Sequence, residues 1–142
     1  MSAAIALSGT GPEPYIGPDG VEPVLEQLAG WGKTTTVILH GGCVFEFKGD
    51  FPRGQSGRGY YNLDSGGQGF EGHLDLSRIT RITFQERPHR GRESCALVFR
   101  DGEDAVLFKV FVGRHEDGRL IETQVSAFRK LMRQSNSGNS HE

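Results

Sequence analysis

From residue 34 onward, apolar and β-branched side chains come in short runs separated by glycine, proline and charge. Residues 34–40 hold three threonines followed by Val37, Ile38 and Leu39, and read as a strand. Gly41 and Gly42 then form a two-residue hairpin turn, which needs left-handed backbone that glycine adopts freely. Residues 43–48 are the returning strand, with Val44 and Glu46 on one face and Phe45 and Phe47 on the other. Residues 49–54 read as loop. Residues 78–86 alternate imperfectly through Ile79, Ile82 and Phe84, which predicts a kinked strand broken at 88–92 by Pro88. Residues 94–99 and 105–112 are further strands about a turn at Asp101 and Gly102, with Val106, Phe108, Val110 and Val112 sharing a face.

The period then changes. Leu120, Ile121, Val125, Phe128, Leu131 and Met132 recur every three or four residues, predicting an amphipathic helix over 119–134 with Glu122, Arg129, Lys130 and Arg133 outside. Its basic end suits the helix dipole. A shorter helix precedes the strands, capped by Asp19, striped by Val24, Leu25 and Leu28, and ended by Gly30. Strands in series followed by a helix, without βαβ alternation, give an α+β fold: a large antiparallel β-sheet meander with a short N-terminal helix and a C-terminal amphipathic helix. Helices cover one face of such a sheet, and a ligand or a second subunit is the usual cover for the other.

The length of 142 residues fits one domain. The expected division is a flexible leader over 1–18, a single folded domain over 19–134 and a disordered tail over 135–142. Sixteen basic against eighteen acidic residues, a net charge of −2, argue against nucleic-acid binding by bulk charge. No apolar run approaches the roughly 20 residues needed to cross a bilayer, and the N-terminus lacks the basic opening of a signal peptide. A cytoplasmic protein without membrane insertion is expected. Cys43 and Cys95 are too far apart for a Cys-x-x-Cys site and read as half-buried thiols in a reducing compartment.

Candidate chemistry gathers in residues 58–74, which hold Tyr60, Tyr61, five glycines and His73. Residues 67–72 spell G-x-G-x-x-G. A dinucleotide loop must open a helix, whereas the residues from His73 to Leu76 alternate like a strand, so nucleotide binding is not expected. His115 and His141 read as solvated, and His89 sits in a basic loop with Arg87, Arg90 and Arg92. His40 and His73 each flank glycine at a strand end. Each is either an ordinary hydrogen-bonded imidazole or a metal ligand. With no HExxH spacing, G-x-S-x-G elbow or distinctive carboxylate pair, no catalytic residue is assigned.

Taken in order, a series of short segments resembles a known family. They are Trp31-Gly32 with residues 34–36, residues 45–47 with Gly49 and Pro52, residues 59–63, residues 72–74, residues 84–87, residues 91–94, residues 108–114 and residues 124–128. Together they are similar to the bacterial haem-utilisation carriers of the HutX/ChuX type, which are in turn similar to one half of the HemS/ChuS haem-handling proteins. The likeness covers about residues 31–131. It implies an intracellular haem-binding carrier, a homodimer that passes imported haem to a haem-degrading enzyme. It places a histidine that contacts haem iron on His73. The family's other histidine falls on Leu39. His40 comes one position later and points to the opposite sheet face unless a bulge at Gly41–Gly42 restores it. The family also carries a longer helical segment before the Trp-Gly pair.

A haem site needs an axial ligand, apolar walls and cations or water for the propionates. By residue type, Phe70, Tyr60 or Tyr61 are walls, and Arg92, Arg90 or Arg58 meet a propionate. Two other functions stand beside carriage: haem degradation, as in the HemS/ChuS relatives, and a dimeric scaffold that kept the fold and lost haem.

Overall fold

The computed structural model describes residues 13–89 and 91–135. The leader before Glu13, Arg90, the tail after Ser135 with His141, and the side chain of His89 lie outside the described residues. The elements in order are β1 (Tyr15–Ile16), a 3-10 turn (Pro18–Gly20), α1 (Val21–Leu28), β2 (Lys33–His40), β3 (Cys43–Asp50) and β4 (Arg53–Gly57). There follow β5 (Tyr60–Asp64), β6 (Gly72–Leu74), a second 3-10 turn (Leu76–Arg78), β7 (Arg81–His89), β8 (Arg92–Arg100), β9 (Val106–Val112) and α2 (Glu122–Gln134).

The strands divide into a six-stranded sheet of order β1-β7-β8-β9-β2-β3 and a three-stranded sheet of order β4-β5-β6, and every pairing is antiparallel. Register explains the core. Thr34 and Thr36 pair with Val112 and Val110, Leu97 with Val110, and Ile82 with Phe99, so these side chains share one face. All of them are buried. Onto that face pack Val24, Leu25 and Leu28 from α1 and Phe128 and Leu131 from α2. The Phe128 ring meets Phe84 edge-on at 5.5 Å. This is the expected antiparallel sheet with both helices on one side. The opposite face carries Val37, Leu39, Lys109 and Phe111 by the same register. There Lys109 Nζ donates to Gln85 Oε1 at 2.9 Å. Burial pushes the Lys109 ammonium below its usual pKa, and the neighbouring Arg87 and Arg100 charges push it further.

Buried Gln124 ties the N-terminal strand region to α2. Its Nε2 donates to the carbonyls of Trp31 at 3.0 Å and Lys33 at 2.8 Å, and its Oε1 accepts from the Gly113 N–H at 2.8 Å. The small sheet turns Tyr61 and Leu63 toward the core. It is also held to α1 by Ser56 Oγ donating to Glu22 at 2.6 Å. Gly54 lies against the Tyr61 ring, where any Cβ would overlap it.

Several expectations change. Asp19 sits inside the first 3-10 turn, and the N-cap of α1 is Gly20 without a side-chain cap. The chain before residue 19 already contributes β1, which pairs Tyr15 and Ile16 with Thr83 and Ile82. Residues 49–54 are not one loop: β3 runs to Asp50 and β4 starts at Arg53. Pro88 does not break β7, which continues to His89. Beyond the two residues that β1 pairs, β7 is a sheet edge, where a residue lacking an N–H is tolerated. Residues 78–80 are not strand, because the second 3-10 turn, capped by Asp75 accepting from the Ser77 N–H, ends at Arg78. The last helix starts at Glu122 rather than 119, since Leu120 bridges to Arg114.

Candidate functional site

The outer face of the small sheet carries the candidate site. Asn62 lies between two strands, opposite Gln55 of β4 and opposite His73 of β6. Alternation sends Tyr61 and Leu63 inward and leaves Tyr60, Asn62 and His73 on the outside. Asn62 Nδ2 donates to the carbonyls of Gln55 at 3.1 Å and Gly57 at 3.2 Å. Both amide hydrogens are therefore engaged, and Oδ1 is left as an acceptor. It lies 2.7 Å from His73 Nδ1, so Nδ1 is the donor and carries the proton. In the neutral ring Nε2 then keeps its lone pair. His73 is exposed, and Tyr60, 44% exposed, stands beside it with the ring edge-on at 6.0 Å. The result is a solvent-open nitrogen donor whose tautomer and orientation are fixed from behind, the arrangement that prepares a histidine to bind metal.

Asn62 also lines a cleft of about 1180 Å³ between β3 and the outer face of the small sheet. Phe47, Phe51 and Phe70 supply its apolar wall and Arg53, Asn62 and Asp64 its polar one. Ligand clefts run to roughly 300–1,000 Å³, so this one is at the large end; His73 and Tyr60 stand beside it rather than in its lining. Phe70 stacks on Phe47 at 4.6 Å and meets Phe51 edge-on at 5.7 Å. The glycine-rich loop between β5 and β6 is ordered by its own carboxylates: the Gly66 N–H donates to Asp64, and the Gly67 N–H and Ser65 hydroxyl donate to Glu71. The strand β6 follows it, so the G-x-G-x-x-G spelling has no helix to open.

The structure brings His73, Tyr60 and Asn62 together, puts Phe70 in the adjacent cleft and places the other candidates elsewhere. Tyr61 is not a wall: it is fully buried, with its hydroxyl unpartnered among the described residues. Burial raises its pKa, helped by Glu26 and Glu22. Arg92, at the start of β8, lays its guanidinium against Gly118 in the loop before α2. Arg58 occupies the β4–β5 turn with φ of 57° and is exposed. His40 is on the six-stranded sheet and His73 on the other. The β2–β3 register runs unbroken from Lys33↔Asp50 to His40↔Cys43, so no bulge restores His40 to the face of Leu39. His115 is exposed, as expected, and also bonds Glu122 through Nε2 at 2.7 Å. The cysteines are not half-buried: Cys43 is exposed and Cys95 buried, and burial, then Glu86, raises the Cys95 pKa.

Among the described residues, no three His, Cys, Asp or Glu side chains gather as a metal-ion site. A single imidazole suits a metal that brings its own chelating ring. Asn62 is the candidate site residue that sequence reasoning missed. Only the pairing register, which sets Asn62 opposite His73, could have indicated it.

Residues 15–131 match the family described as haem utilisation ChuX/HutX. The intracellular heme transport protein HutX of Vibrio cholerae serotype O1 is 37% identical over 113 residues, covering 80% of this chain and 58% of that protein. The chain thus spans less than two-thirds of that relative's length. The solved structure of the heme-binding protein ChuX superposes with a TM-score of 0.77 at 30% identity, covering 85% of this chain and 76% of that one. The Escherichia coli O157:H7 heme-degrading enzyme ChuS shares the fold, with a TM-score of 0.67 at 15% identity over 87% of this chain and 36% of ChuS. Among the described residues no helix is long and apolar enough to cross a membrane.

Proposed function

The chain belongs to the ChuX/HutX haem-utilisation family, and on that footing we propose that it binds haem as cargo through His73 and carries it inside the cell to a haem-using or haem-degrading partner. One observation supports this most: both Asn62 amide donors are engaged, so its Oδ1 holds the proton on His73 Nδ1 and leaves Nε2 bare at the surface. The names of the relatives, a heme transporter and a heme-binding protein, agree with it. Exchange of cargo requires a bond that can be broken. A single exposed imidazole gives one that a recipient's own ligand can displace. Tyr60 beside the ring and the phenylalanines of the adjacent cleft offer apolar surface for the macrocycle.

The sheet face bearing Val37, Leu39, Lys109 and Phe111 is left uncovered by the helices, and we assign it to a second copy in a homodimer. Sedimentation of the purified chain tests that. For haem, the test is a hemin titration followed at the Soret band. The wild type is expected to show a shifted, saturable band and His73→Ala to bind more weakly. A titration that His73→Ala leaves unaltered removes the assignment. A wild type that never shifts the band makes this chain a scaffold of the same fold.

A further inference from the structure

The tip of the β2–β3 hairpin carries a second set of metal-capable side chains. His40 and Cys43 are direct cross-strand partners closing the Gly41–Gly42 turn, whose φ angles are 60° and 84°. Partners in register share a face, so the imidazole and the thiol stand side by side, and both are exposed. The next pair on that face is Ile38 and Phe45, and Phe45 is 51% exposed. The pair after that is Thr36 and Phe47, where Phe70 covers the sheet. An uncovered aromatic ring therefore lies about 7 Å along β3 from the thiol, two residues at roughly 3.4 Å each. That spacing is of the order of the distance from the centre of a porphyrin to its edge. A sulfur or nitrogen under the metal, with hydrocarbon under the rim, is what a macrocycle lying flat on a sheet requires.

We propose that Cys43 is a second haem-iron donor in this chain, one that the cargo can take in exchange for His73 on the other sheet, with Ile38 and Phe45 beneath the macrocycle and His40 as the alternative donor beside it. The inference rests on the carrier reading and adds a contact to it. The thiolate is the form that ligates metal. Ferric haem arrives with water on the iron. The Fe–O bond breaks, the Fe–S bond forms, the thiol proton and the water leave to solvent, and the iron keeps its oxidation state. The unbroken register explains why the donor lies here. Leu39 points to the other face, so the hairpin's metal-capable groups on the face of Phe45 are His40 and Cys43.

The test is a hemin titration of the full chain with its thiols reduced. Absorption and electron paramagnetic resonance are recorded for the wild type, Cys43→Ser, His40→Ala, His73→Ala and Phe45→Ser. The wild type should show thiolate-to-iron charge-transfer bands and a low-spin signal of narrow g spread. Cys43→Ser should lose both, His73→Ala should keep them, and Phe45→Ser should lower the thiolate-ligated fraction severalfold. His40→Ala should keep the thiolate bands, since sulfur rather than that imidazole holds the iron. Cys43 is exposed at a turn, and an unchanged circular dichroism spectrum of Cys43→Ser excludes misfolding. Spectra of Cys43→Ser that superimpose on the wild type overturn the proposal. If His73→Ala weakens binding in that case, the carrier reading stands without it. A wild type that binds no hemin ends both.

Discussion

Asn62 Oδ1 and His73 Nδ1 are 2.7 Å apart across β5 and β6, and Asn62 has no amide hydrogen left to reverse the sense of that bond. Supporting partners of a metal-binding histidine are commonly worth 10–100-fold in affinity. Asn62→Ala should therefore weaken hemin binding by about that factor. In the double variant with His73→Ala it should cost nothing further, because the asparagine acts only through the imidazole. Additive losses in that cycle would mean that Asn62 contacts the ligand itself.

Gln124 should be the costliest polar residue to truncate. Gln124→Ala removes three hydrogen bonds at once and leaves the Gly113 N–H without its acceptor. A buried unsatisfied donor costs about 1–3 kcal/mol, so a loss of roughly 3 kcal/mol is expected in urea unfolding. A loss below about 1 kcal/mol would show that the loop relaxes to meet water.

Tyr61→Phe should be neutral or stabilising, by up to about 1 kcal/mol, because it deletes a buried hydroxyl that has no partner among the described residues. Gly54→Ala acts in the opposite direction. Its Cβ overlaps the Tyr61 ring, and overpacking of this kind costs about 1–3 kcal/mol. Thermal unfolding of the two variants separates them by sign.

The pair His115–Glu122 sets an acid limit. The hydrogen bond from His115 holds the Glu122 carboxyl below its ordinary pKa. A depressed carboxyl adds stability above its unfolded value of about 4.3 and loses it as pH falls through the folded value. The melting temperature of Glu122→Gln should thus fall below the wild type's at pH 6 and converge with it toward pH 3. Curves separated by the same interval at every pH would contradict the linkage.

What could be read from the chain follows from how local each signal is. The Gly41–Gly42 hairpin, β8, β9 and α2 carry their own periodicity, and all lie within a few residues of expectation. The strand β4 has no apolar side chain, since Arg53 to Gly57 is charged, polar or glycine. It is a strand because β5 pairs with it, and no window of its own sequence records that. The continuation of β7 through Pro88 depends on an edge that exists only once the sheet is assembled. The same holds for the site. His73 stood out by residue type beside glycine, whereas Asn62 became visible only through register. Tyr60 and Tyr61 look alike in sequence, and alternation on β5 sends one to the surface and the other to the core.

The Gln124 clamp also bears on how the protein is made. Gln124 and Lys33 are 91 positions apart, which at roughly 5–20 residues per second of synthesis is about 5–18 s. Within that interval, from the completion of β3 until β9 is made, the β2–β3 hairpin is on the ribosome without the strand and helix that cover its apolar face. Conditions that slow elongation lengthen this exposure. A holding chaperone that recognises bare aromatic strands would therefore meet the nascent chain at β3 before its last helix is synthesised.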